Sequence, residues 1–281
     1  MVNFSMHTEN PLSDEEMTRL TQIIIETARR QLVGRRCVEI YGPLGAGVQS
    51  VQLDTFLGQD VGNVDLLGDI DTHPVHSESR KTLQIPIIFK DFELYWRDIE
   101  TSREFKIPLD FSVGAGASAF CALKEDDMIF NGERNLQYPG LLNVEGRLRY
   151  PLGDWDIDGQ SFQDTVKATE LLLTHGHYGP YAMVSGPKLF SKMHRIYRDS
   201  GVLEIEHIRN IVTAGVYQCS VIRDDMAVIL STGRQNFDIA MAQDLRVAYL
   251  GAQKMNHPYR VFECFVLRIK RPQAICTLEQ S

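Results

Sequence analysis

ARRQLVGRRCVEIYGPLGAGVQSV, residues 28–51, joins the end of an apolar helix, a short strand and a glycine-rich loop. Its glycines (Gly42, Gly45 and Gly47) follow the order GxxGxG, whereas the dinucleotide fingerprint is GxGxxG. A phosphate loop also needs a lysine and a hydroxyl after its last glycine, and here a valine and a glutamine follow. We therefore expect backbone crowding or a sharp bend at these glycines, with an anion site as the alternative.

The composition is that of an ordinary globular protein. The 281 residues are 43% apolar and 23% charged, which allows one large core or two modest ones. The formal net charge of −8 argues against a nucleic-acid binder, which needs a basic surface. A local arginine cluster lies at a predicted helix end, where we expect it to complement the helix macrodipole (Arg29, Arg30, Arg35 and Arg36).

Targeting signals and cysteines favour a cytoplasmic protein. The start MVNFSMHTEN lacks the basic and apolar segments of a secretory signal, and no apolar run is long enough to span a membrane. The five cysteines are widely separated and form no CxxC pair, which is typical of reduced core cysteines (Cys37, Cys121, Cys219, Cys264 and Cys276). We therefore expect neither a disulfide framework nor a zinc site.

The first helix is predicted from Ser13 to Leu32. Ser13 and Glu16 have the spacing of a capping box, and Gly34 is expected to end the helix. Apolar residues recur at helical spacing, and Ile23 and Ile25 widen the apolar surface beyond one packing face. This surface must dock against its own domain, against a partner, or against both.

Residues 51–80 lose the helical pattern and show partial alternation, acidic groups and turn residues. Such a segment is too long for an ordinary connection, so we predict a two-stranded ribbon. An isolated ribbon is barely stable in water and has open edges. It therefore needs a neighbouring body, which in an assembly can be another subunit.

An apolar strand is predicted at residues 85–89 and a second helix at residues 111–130. The first half of this helix, SVGAGASAF, is rich in small residues, which is typical of a buried helix that other backbones approach closely. The later acidic run (Glu125, Asp126 and Asp127) is expected to form a solvated face in preference to a metal site.

Residues 138–220 alternate helices and strands and are predicted to form a second unit, α/β or α+β. It should contain a helix capped by Ser161, a strand at residues 180–185, a helix from Pro187 to about Asp199, and a helix at EIEHIRNIVTAG. The chain beyond Cys219 is rich in strands, which we expect to complete the first unit.

Motifs for catalysis are fragmentary. Glu204 and His207 match one half of a di-iron motif, but no second copy occurs, so an exposed helix face is the preferred interpretation. Two histidine pairs lie in predicted loops without a third ligand set by spacing (His73 with His76, and His175 with His177). Neither GxSxG nor HExxH occurs. We therefore predict no catalytic group, no metal site and no cofactor.

Read together, several segments resemble the encapsulins, bacterial shell proteins related to tailed-phage capsid subunits. They are RRQLVGRR, YGPLGAGVQ, FKDFELYWRDIE, GPYAMVSGPKLF, GVLEIEHIR, TAGVYQ, STGRQNFDIAMAQDL and NHPYRVFECFVLRIKRP. Two strings, KDFELYWRDIE and MNHPYRV, are most similar to the encapsulin subgroup that encloses ferritin-like proteins and stores iron.

The resemblance implies an α+β chain with the tailed-phage major capsid protein fold and an additional amphipathic N-terminal helix. Its divisions would be residues 1–50 (cargo-facing helix and start of the peripheral domain), 51–84 (extended ribbon loop), 85–137 (peripheral domain with the spine helix), 138–220 (axial domain) and 221–281 (C-terminal strands of the peripheral domain).

The resemblance also implies the partners. Many copies of the chain would close into an icosahedral shell, and a ferritin-like cargo protein would bind through a terminal peptide between the first helix and the peripheral sheet. The implied cargo-binding residues are Ile23, Ile24, Thr27, Ala28, Gln31, Leu32 and Arg35 on the helix side, and Asp244 and Leu245 on the sheet side. Aspartate in place of Ile24 or Leu32 should then empty the shell without dissolving it.

In this family, axial-domain loops surround pores at the fivefold points. The matching loop here would comprise Tyr197, Arg198, Asp199, Ser200, Gly201, Val202, Leu203 and Glu204. Asp199 and Glu204 would favour ferrous ions by their local potential. The cargo would oxidise the iron, and the shell subunit would not be an enzyme and would bind neither nucleic acid nor membrane.

Three alternatives stay open at this point. The shell could enclose a different cargo such as a peroxidase, the chain could be a prophage capsid subunit that packages DNA, or it could be an enzyme with an unrecognised metal or nucleotide site.

Overall fold

The computed structural model describes residues 9–57, 64, 66, 75–197 and 200–280. The helices in these ranges are α1 (Asp14–Gln31), α2 (Gly34–Cys37), α3 (Trp96–Phe105), α4 (Ser112–Phe130), α5 (Gln160–Thr174), α6 (Pro187–Lys192) and α7 (Glu204–Ile211). The strands are β1 (Ile40–Tyr41), β2 (Ser50–Leu57), β3 (His76–Gln84), β4 (Ile87–Leu94), β5 (Leu148–Pro151), β6 (Tyr181–Ser185), β7 (Gly215–Gln218), β8 (Ala227–Ser231), β9 (Phe237–Tyr249), β10 (His257–Ile269) and β11 (Ile275–Glu279).

Two sheets and a separate ribbon organise the chain. One sheet has four strands in the order β1-β9-β10-β4, and the other has five in the order β5-β11-β8-β6-β7. The sequence assigned all of residues 221–281 to the first unit, but β8 and β11 belong to the five-stranded sheet. The difference arises because the chain passes from β8 in one sheet to β9 and β10 in the other, and then returns as β11.

Helix α1 begins as its sequence predicts. Ser13 Oγ accepts the Glu16 N–H, and the Ser13 N–H donates to Glu16 Oε2 at 2.8 Å, which completes the capping box. The core side of α1 packs mainly against α4. Gly34 does not simply end the helix. It begins α2, and a Cβ there would lie only 2.5 Å from Ile129 Cδ1, so the chain must come this close to α4 without a side chain.

The glycine-rich loop is crowded by backbone at Gly42, as expected, whereas a Cβ on Gly45 or Gly47 would meet nothing within 4 Å. Gly42 has φ +144°, and a Cβ on it would lie 2.4 Å from the Met241 carbonyl oxygen of β9. That same carbonyl accepts the Leu44 N–H at 2.9 Å, and the next acceptor along, Ala242 O, receives the Gly45 N–H at 3.0 Å. The N–H groups of Leu44 and Gly45 thus bind main-chain carbonyls of β9. They are therefore not available to bind a phosphate.

Helix α4 matches the predicted buried helix, with one correction. Its small residues admit α1 closely, and Ser118 Oγ donates to the Ile24 carbonyl at 2.6 Å. Glu125 and Asp126 are not a solvated face, because both are buried; Asp127 alone of the three is substantially exposed. Their partners are on α1 and α2 and are described below.

The ribbon pairs β2 with β3 in antiparallel register and has an irregularity between Thr55 and Phe56. Its base is held by Tyr138, whose hydroxyl donates to Gln84 O, and by Arg268, which donates to Gln52 O. The predicted strand at 85–89 extends to Leu94, and it is followed by α3, which the sequence analysis did not anticipate. His73 lies outside the described residues.

The second unit differs from prediction in its helix boundaries. Helix α5 has Gly159 at its N-cap, whereas Ser161 is buried and donates its hydroxyl to Glu204 Oε1. Helix α6 ends at Lys192, because the chain then turns and forms a bridge between Ile196 and Leu203. Strand β6 lies where it was predicted. Within the described residues, no helix combines the length and apolar character needed to cross a membrane.

The crowding at Gly42 gives a direct test. Gly42→Ala combines a left-handed backbone with a 2.4 Å approach to a main-chain oxygen, so we expect a loss of about 2 kcal/mol or more in the free energy of unfolding. Gly47→Ala is the matched control, since a Cβ there meets nothing within 4 Å. Thermal unfolding of both variants checks this, and equal midpoints would contradict the crowding.

Candidate functional site

Helix α2, which follows α1, meets α4 and the four-stranded sheet at a group of charges that is buried except for Asp244, and we call it the Arg35 cluster (Arg35, Glu125, Asp126, Asp244 and Glu263). Arg35 donates to both Glu125 oxygens, at 2.6 and 2.8 Å, in a bidentate pair. It also donates to Glu263 Oε2 at 2.8 Å and to Asp244 Oδ1 at 2.7 Å. One guanidinium thus ties α4, β10 and β9 together.

Asp126 supports the same junction through main-chain donors. Its carboxylate accepts the Val33 N–H at 3.0 Å and the Gly34 N–H at 2.8 Å. These two N–H groups lie where α1 gives way to α2, and no helical carbonyl is available to them there. Burial raises the pKa of Asp126 to about 6, while the two N–H donors oppose the shift. The carboxylate therefore fixes the bend between the helices.

The Arg35 cluster holds four acidic side chains and one guanidinium. This excess of acidic groups affects how tightly they hold protons. Burial, and next the charge of Glu125, raise the pKa of Glu263 well above its ordinary value. Its Oε1 has no hydrogen-bond partner within the described residues. Burial would lower the pKa of Arg35, but Glu125 outweighs it and raises that pKa. The guanidinium is therefore permanently charged.

The same pKa shifts make the junction sensitive to pH. Glu263 and Asp126 hold a proton more tightly in the folded chain than in the unfolded chain. Their contribution to the free energy of unfolding is therefore most favourable at low pH, and it declines as the pH rises through their raised pKa values. Asp244 behaves oppositely, because Arg35 overcomes the effect of burial and lowers its pKa.

Several residues predicted to bind a cargo peptide lie in the core. Ile24, Ala28 and Leu32 are 0%, 2% and 6% exposed, and Leu245 is 8% exposed. They cannot contact a peptide unless the core opens. The expectation that aspartate at Ile24 or Leu32 would leave the fold intact is therefore wrong, since it would bury an unpaired carboxylate.

The remaining predicted residues form an accessible rim. Ile23 and Thr27 are half-buried on α1, Gln31 is exposed, and the Asp244 side chain is 62% exposed although it binds Arg35. Beside Asp244, a cavity of about 400 Å³ is lined by the glycine-rich loop and β9 (Pro43, Leu44, Gly45, Ala242, Gln243, Asp244, Leu245 and Arg246). We call the α1 rim together with this cavity the α1–β9 groove.

Sequence reasoning missed the loop side of this groove and the acidic half of the Arg35 cluster. The available signal was a carboxylate within an otherwise apolar element. Glu263 interrupts the strand HPYRVFECFVLRI, and Glu125 and Asp126 follow the apolar half of α4. A carboxylate in such a position needs a buried cation or main-chain donors.

The predicted pore loop is a tight turn at the end of the five-stranded unit. Tyr197 packs on Phe162 and His207, and its N–H donates to Val202 O at 2.9 Å. Ser200, Gly201, Val202 and Leu203 are exposed, while Arg198 and Asp199 lie outside the described residues.

Glu204 is misassigned to a solvent-exposed role. It is fully buried, and its carboxylate accepts the Ser161 hydroxyl, the Phe162 N–H and the Arg195 guanidinium. It can therefore neither line a pore nor belong to an exposed helix face. Among the described residues, no cluster of three or more histidine, cysteine or acidic side chains could hold a metal ion.

The Arg35 cluster predicts a large effect of one substitution. Arg35→Met leaves two buried carboxylates without their cation, and we expect a loss of about 3–5 kcal/mol in the free energy of unfolding or insoluble protein. Arg36→Met is the control, because Arg36 is the exposed neighbour. Chemical denaturation measures both, and similar stabilities for the two variants would refute the role of the cluster.

Comparisons with known proteins match the chain along most of its length. Residues 2–266 match a protein family described as "Encapsulating protein for peroxidase". A type 1 encapsulin shell protein of Myxococcus xanthus is 53% identical over 279 residues, covering 99% of this chain and 97% of the relative. A diheme-cytochrome-encapsulin shell fusion protein of Kuenenia stuttgartiensis is 43% identical, covering 97% and 75%. A ferritin-like-encapsulin shell fusion protein of Pyrococcus furiosus is 26% identical over 56% of this chain and 46% of the relative.

Solved structures show the fold. A virus-like particle from Pyrococcus furiosus aligns with TM-score 0.75 at 20% identity, covering 95% of this chain and 99% of the other. The capsid of Myoviridae phage XM1 aligns with TM-score 0.61 at 14% identity, covering 86% and 89%. The fold is therefore the tailed-phage capsid type that the sequence predicted. From the family match and the whole-length identity, this chain belongs to the encapsulins and is a structural shell protein rather than an enzyme.

Proposed function

We propose that copies of this chain close into an icosahedral shell that holds a ferritin-like cargo protein in the α1–β9 groove. The observation that carries the assembly is the second apolar face of α4. One face of α4 packs against α1 and the four-stranded sheet. The other face leaves Val113, Phe120 and Leu123 at 50%, 61% and 45% exposure.

An apolar stripe of this kind on a long helix requires a covering partner. The three residues share one face, because they are separated by seven and by three positions. The ribbon of a neighbouring copy is the partner we assign to it. The ribbon has open main-chain edges that are incomplete in a single chain, and each element can complete the burial of the other.

Assembly can be tested at the centre of this stripe. Phe120→Glu places a charge on the covered surface while leaving the monomer core intact, since Phe120 is 61% exposed. We expect small oligomers in place of hollow particles by electron microscopy and size-exclusion chromatography. Arg134→Gln makes the same change in net charge at an exposed position outside the stripe and should assemble normally. Normal particles from Phe120→Glu would overturn the assignment of the stripe.

The α1–β9 groove suits a short peptide. It offers a half-buried apolar side chain at Ile23, and a cavity lined by Leu44 and the exposed Asp244 carboxylate. A peptide laid there would bury apolar side chains against α1 and β9. The Arg35 cluster keeps the two walls in place, so the groove exists before the peptide arrives.

The nature of the cargo rests on likeness. The strings KDFELYWRDIE and MNHPYRV resemble the iron-storing subgroup, and the Pyrococcus relative is named as a fusion with a ferritin-like protein. Such a cargo would oxidise iron inside the shell for storage and for protection against oxidative stress. The chain would work in the cytoplasm. Iron would enter through pores bordered by the 197–204 turn, with Ile196 and Val202 exposed there and Glu204 excluded.

A second candidate is a peroxidase cargo, which the description of the matching family favours. A peroxidase and a ferritin-like protein could use the same groove, so the geometry does not separate them. A prophage capsid role draws only on the shared fold.

Cargo binding is tested by Ile23→Asp. Shells purified from the native host should contain a ferritin-like protein by mass spectrometry together with iron, and Ile23→Asp shells should be intact but depleted of it by about tenfold or more. Ile25→Asp is the matched control, since Ile25 is also half-buried but lies on the opposite rim of α1.

The two parts of this proposal fail in different ways. A haem-containing peroxidase in wild-type shells would replace the ferritin-like assignment and keep the groove. Full cargo in Ile23→Asp shells would refute the groove.

A further inference from the structure

The two sheets and the ribbon meet at a cavity of about 690 Å³ that is remote from the α1–β9 groove. Its walls come from the end of α5 (Thr174, His175 and His177), from the link between β10 and β11 (Lys270 and Arg271), and from Thr55 of the ribbon. Gly176, with φ +78°, turns the chain between the two histidines, so that both line the same cavity. We call this cavity the basic pocket.

The charge of the basic pocket is one-sided. None of the described residues that line it carries a carboxylate. Asp238, which contacts Lys270, already binds two cations, Lys270 at 2.6 Å and Arg268 at 2.7 Å. The Arg271 guanidinium makes neither an ion pair nor a hydrogen bond within the described part of the chain. Its charge is therefore uncompensated at the rim.

His177 is a buried residue of the basic pocket and lies near Arg271. It is 7% exposed, and its main chain is fully engaged, with its N–H on Leu172 O and its carbonyl accepting the Tyr181 hydroxyl. Its imidazole, in contrast, has no hydrogen-bond partner among the described residues. Burial, then Arg271, then His175 lower the pKa of His177. A buried imidazole beside a guanidinium is unfavourable to protonate until an anion enters.

The side-chain nitrogen atoms that the pocket offers to a ligand are hydrogen-bond donors, or they become donors when protonated. His175 uses Nδ1 on the Leu171 carbonyl at 2.8 Å, which leaves Nε2 to the cavity. Arg271 offers a planar fork that matches an oxyanion, and His177 offers a second donor once protonated. An oxyanion in the cavity would neutralise Arg271 and supply the missing partner of His177.

We propose that the basic pocket binds a phosphate group, with Arg271 as its main anchor and His177 and His175 as further donors. The cavity is larger than one phosphate ion, so the group could arrive as free phosphate or as part of a small organic phosphate. The titratable and charged neighbours of His177 are Arg271 and Lys270 from the β10–β11 link, His175 from its own loop, and Tyr181 from β6. None of them supplies a negative charge at neutral pH.

Assembled shells titrated with inorganic phosphate by calorimetry test the site. Arg271→Gln should weaken binding by at least about tenfold, because a charge-assisted pair is lost. Arg134→Gln is the matched control: it removes one exposed arginine elsewhere and should bind as the wild type does. Equal affinity in wild type and Arg271→Gln, or an equal loss in Arg134→Gln, would overturn the proposal by showing diffuse surface charge only.

The histidines have a separate readout. Sulfate stays a dianion between about pH 6 and about pH 8, so any change in its affinity over this range reports the protonation of the protein alone. We expect sulfate affinity to fall across this range in the wild type and to change little in His177→Gln. The same slope in His177→Gln and in a His175→Gln, His177→Gln double variant would refute the donor role.

A mononucleotide distinguishes the two sources of the phosphate group. Displacement of inorganic phosphate by AMP at lower concentration supports an organic phosphate, and weaker competition supports the free ion; either result keeps the site. Electron microscopy of each variant confirms that the shells are intact.

Discussion

One guanidinium in a nearly dry junction sets the geometry on which the rest of this subunit depends. Arg35 is the cation shared by Glu125, Glu263 and Asp244, and these three residues belong to three different elements of the fold. A buried carboxylate without a counter-charge is costly, so each element is constrained to the position where Arg35 can reach it. Asp126 adds a main-chain constraint on the neighbouring bend. These charges fix α2 and the bend before it, while the apolar face of α1 packs on α4.

The fold of a single chain leaves an apolar helix surface exposed and, in the described part of the ribbon, its edges unpaired. Helix α4 gives one face to α1 and the sheet and keeps an apolar stripe on the other. In its described residues the ribbon is a two-stranded sheet, and side-chain hydrogen bonds from Tyr138 and Arg268 hold its base. A subunit with such surfaces is stable enough to fold and is completed by its copies, which suits a member of a shell-forming family.

Local patterns in the sequence predicted the elements that local chemistry controls. The capping box of α1, the small-residue half of α4, the ribbon and the crowded glycine loop were all found where expected. What failed depended on contacts between distant residues. Glu125 and Asp126 were predicted to be solvated because their partners lie about ninety positions earlier in the chain. Ser161 was predicted to cap a helix because its contact with Glu204 cannot be inferred from the sequence.

The site shows the same division. Likeness to a family suggested the α1–β9 region as a cargo site, which stays a prediction. Burial could not be inferred from that likeness, so Ile24, Ala28 and Leu32 were proposed as contact residues although they are buried. Helical periodicity identifies an apolar face without telling which of its residues stay at the rim. Only the packing of α1 on α4 separates Ile23 from Ile24.

Strand β11 is an interior strand of the five-stranded sheet, yet it is the last of its strands to be synthesised. It lies between β5 and β8, and Thr277 contacts Leu148 across 129 positions of chain. During synthesis, β5 emerges from the ribosome long before β11, its partner within the described residues, exists. The five-stranded sheet can therefore be completed only after residues 275–279 have been synthesised.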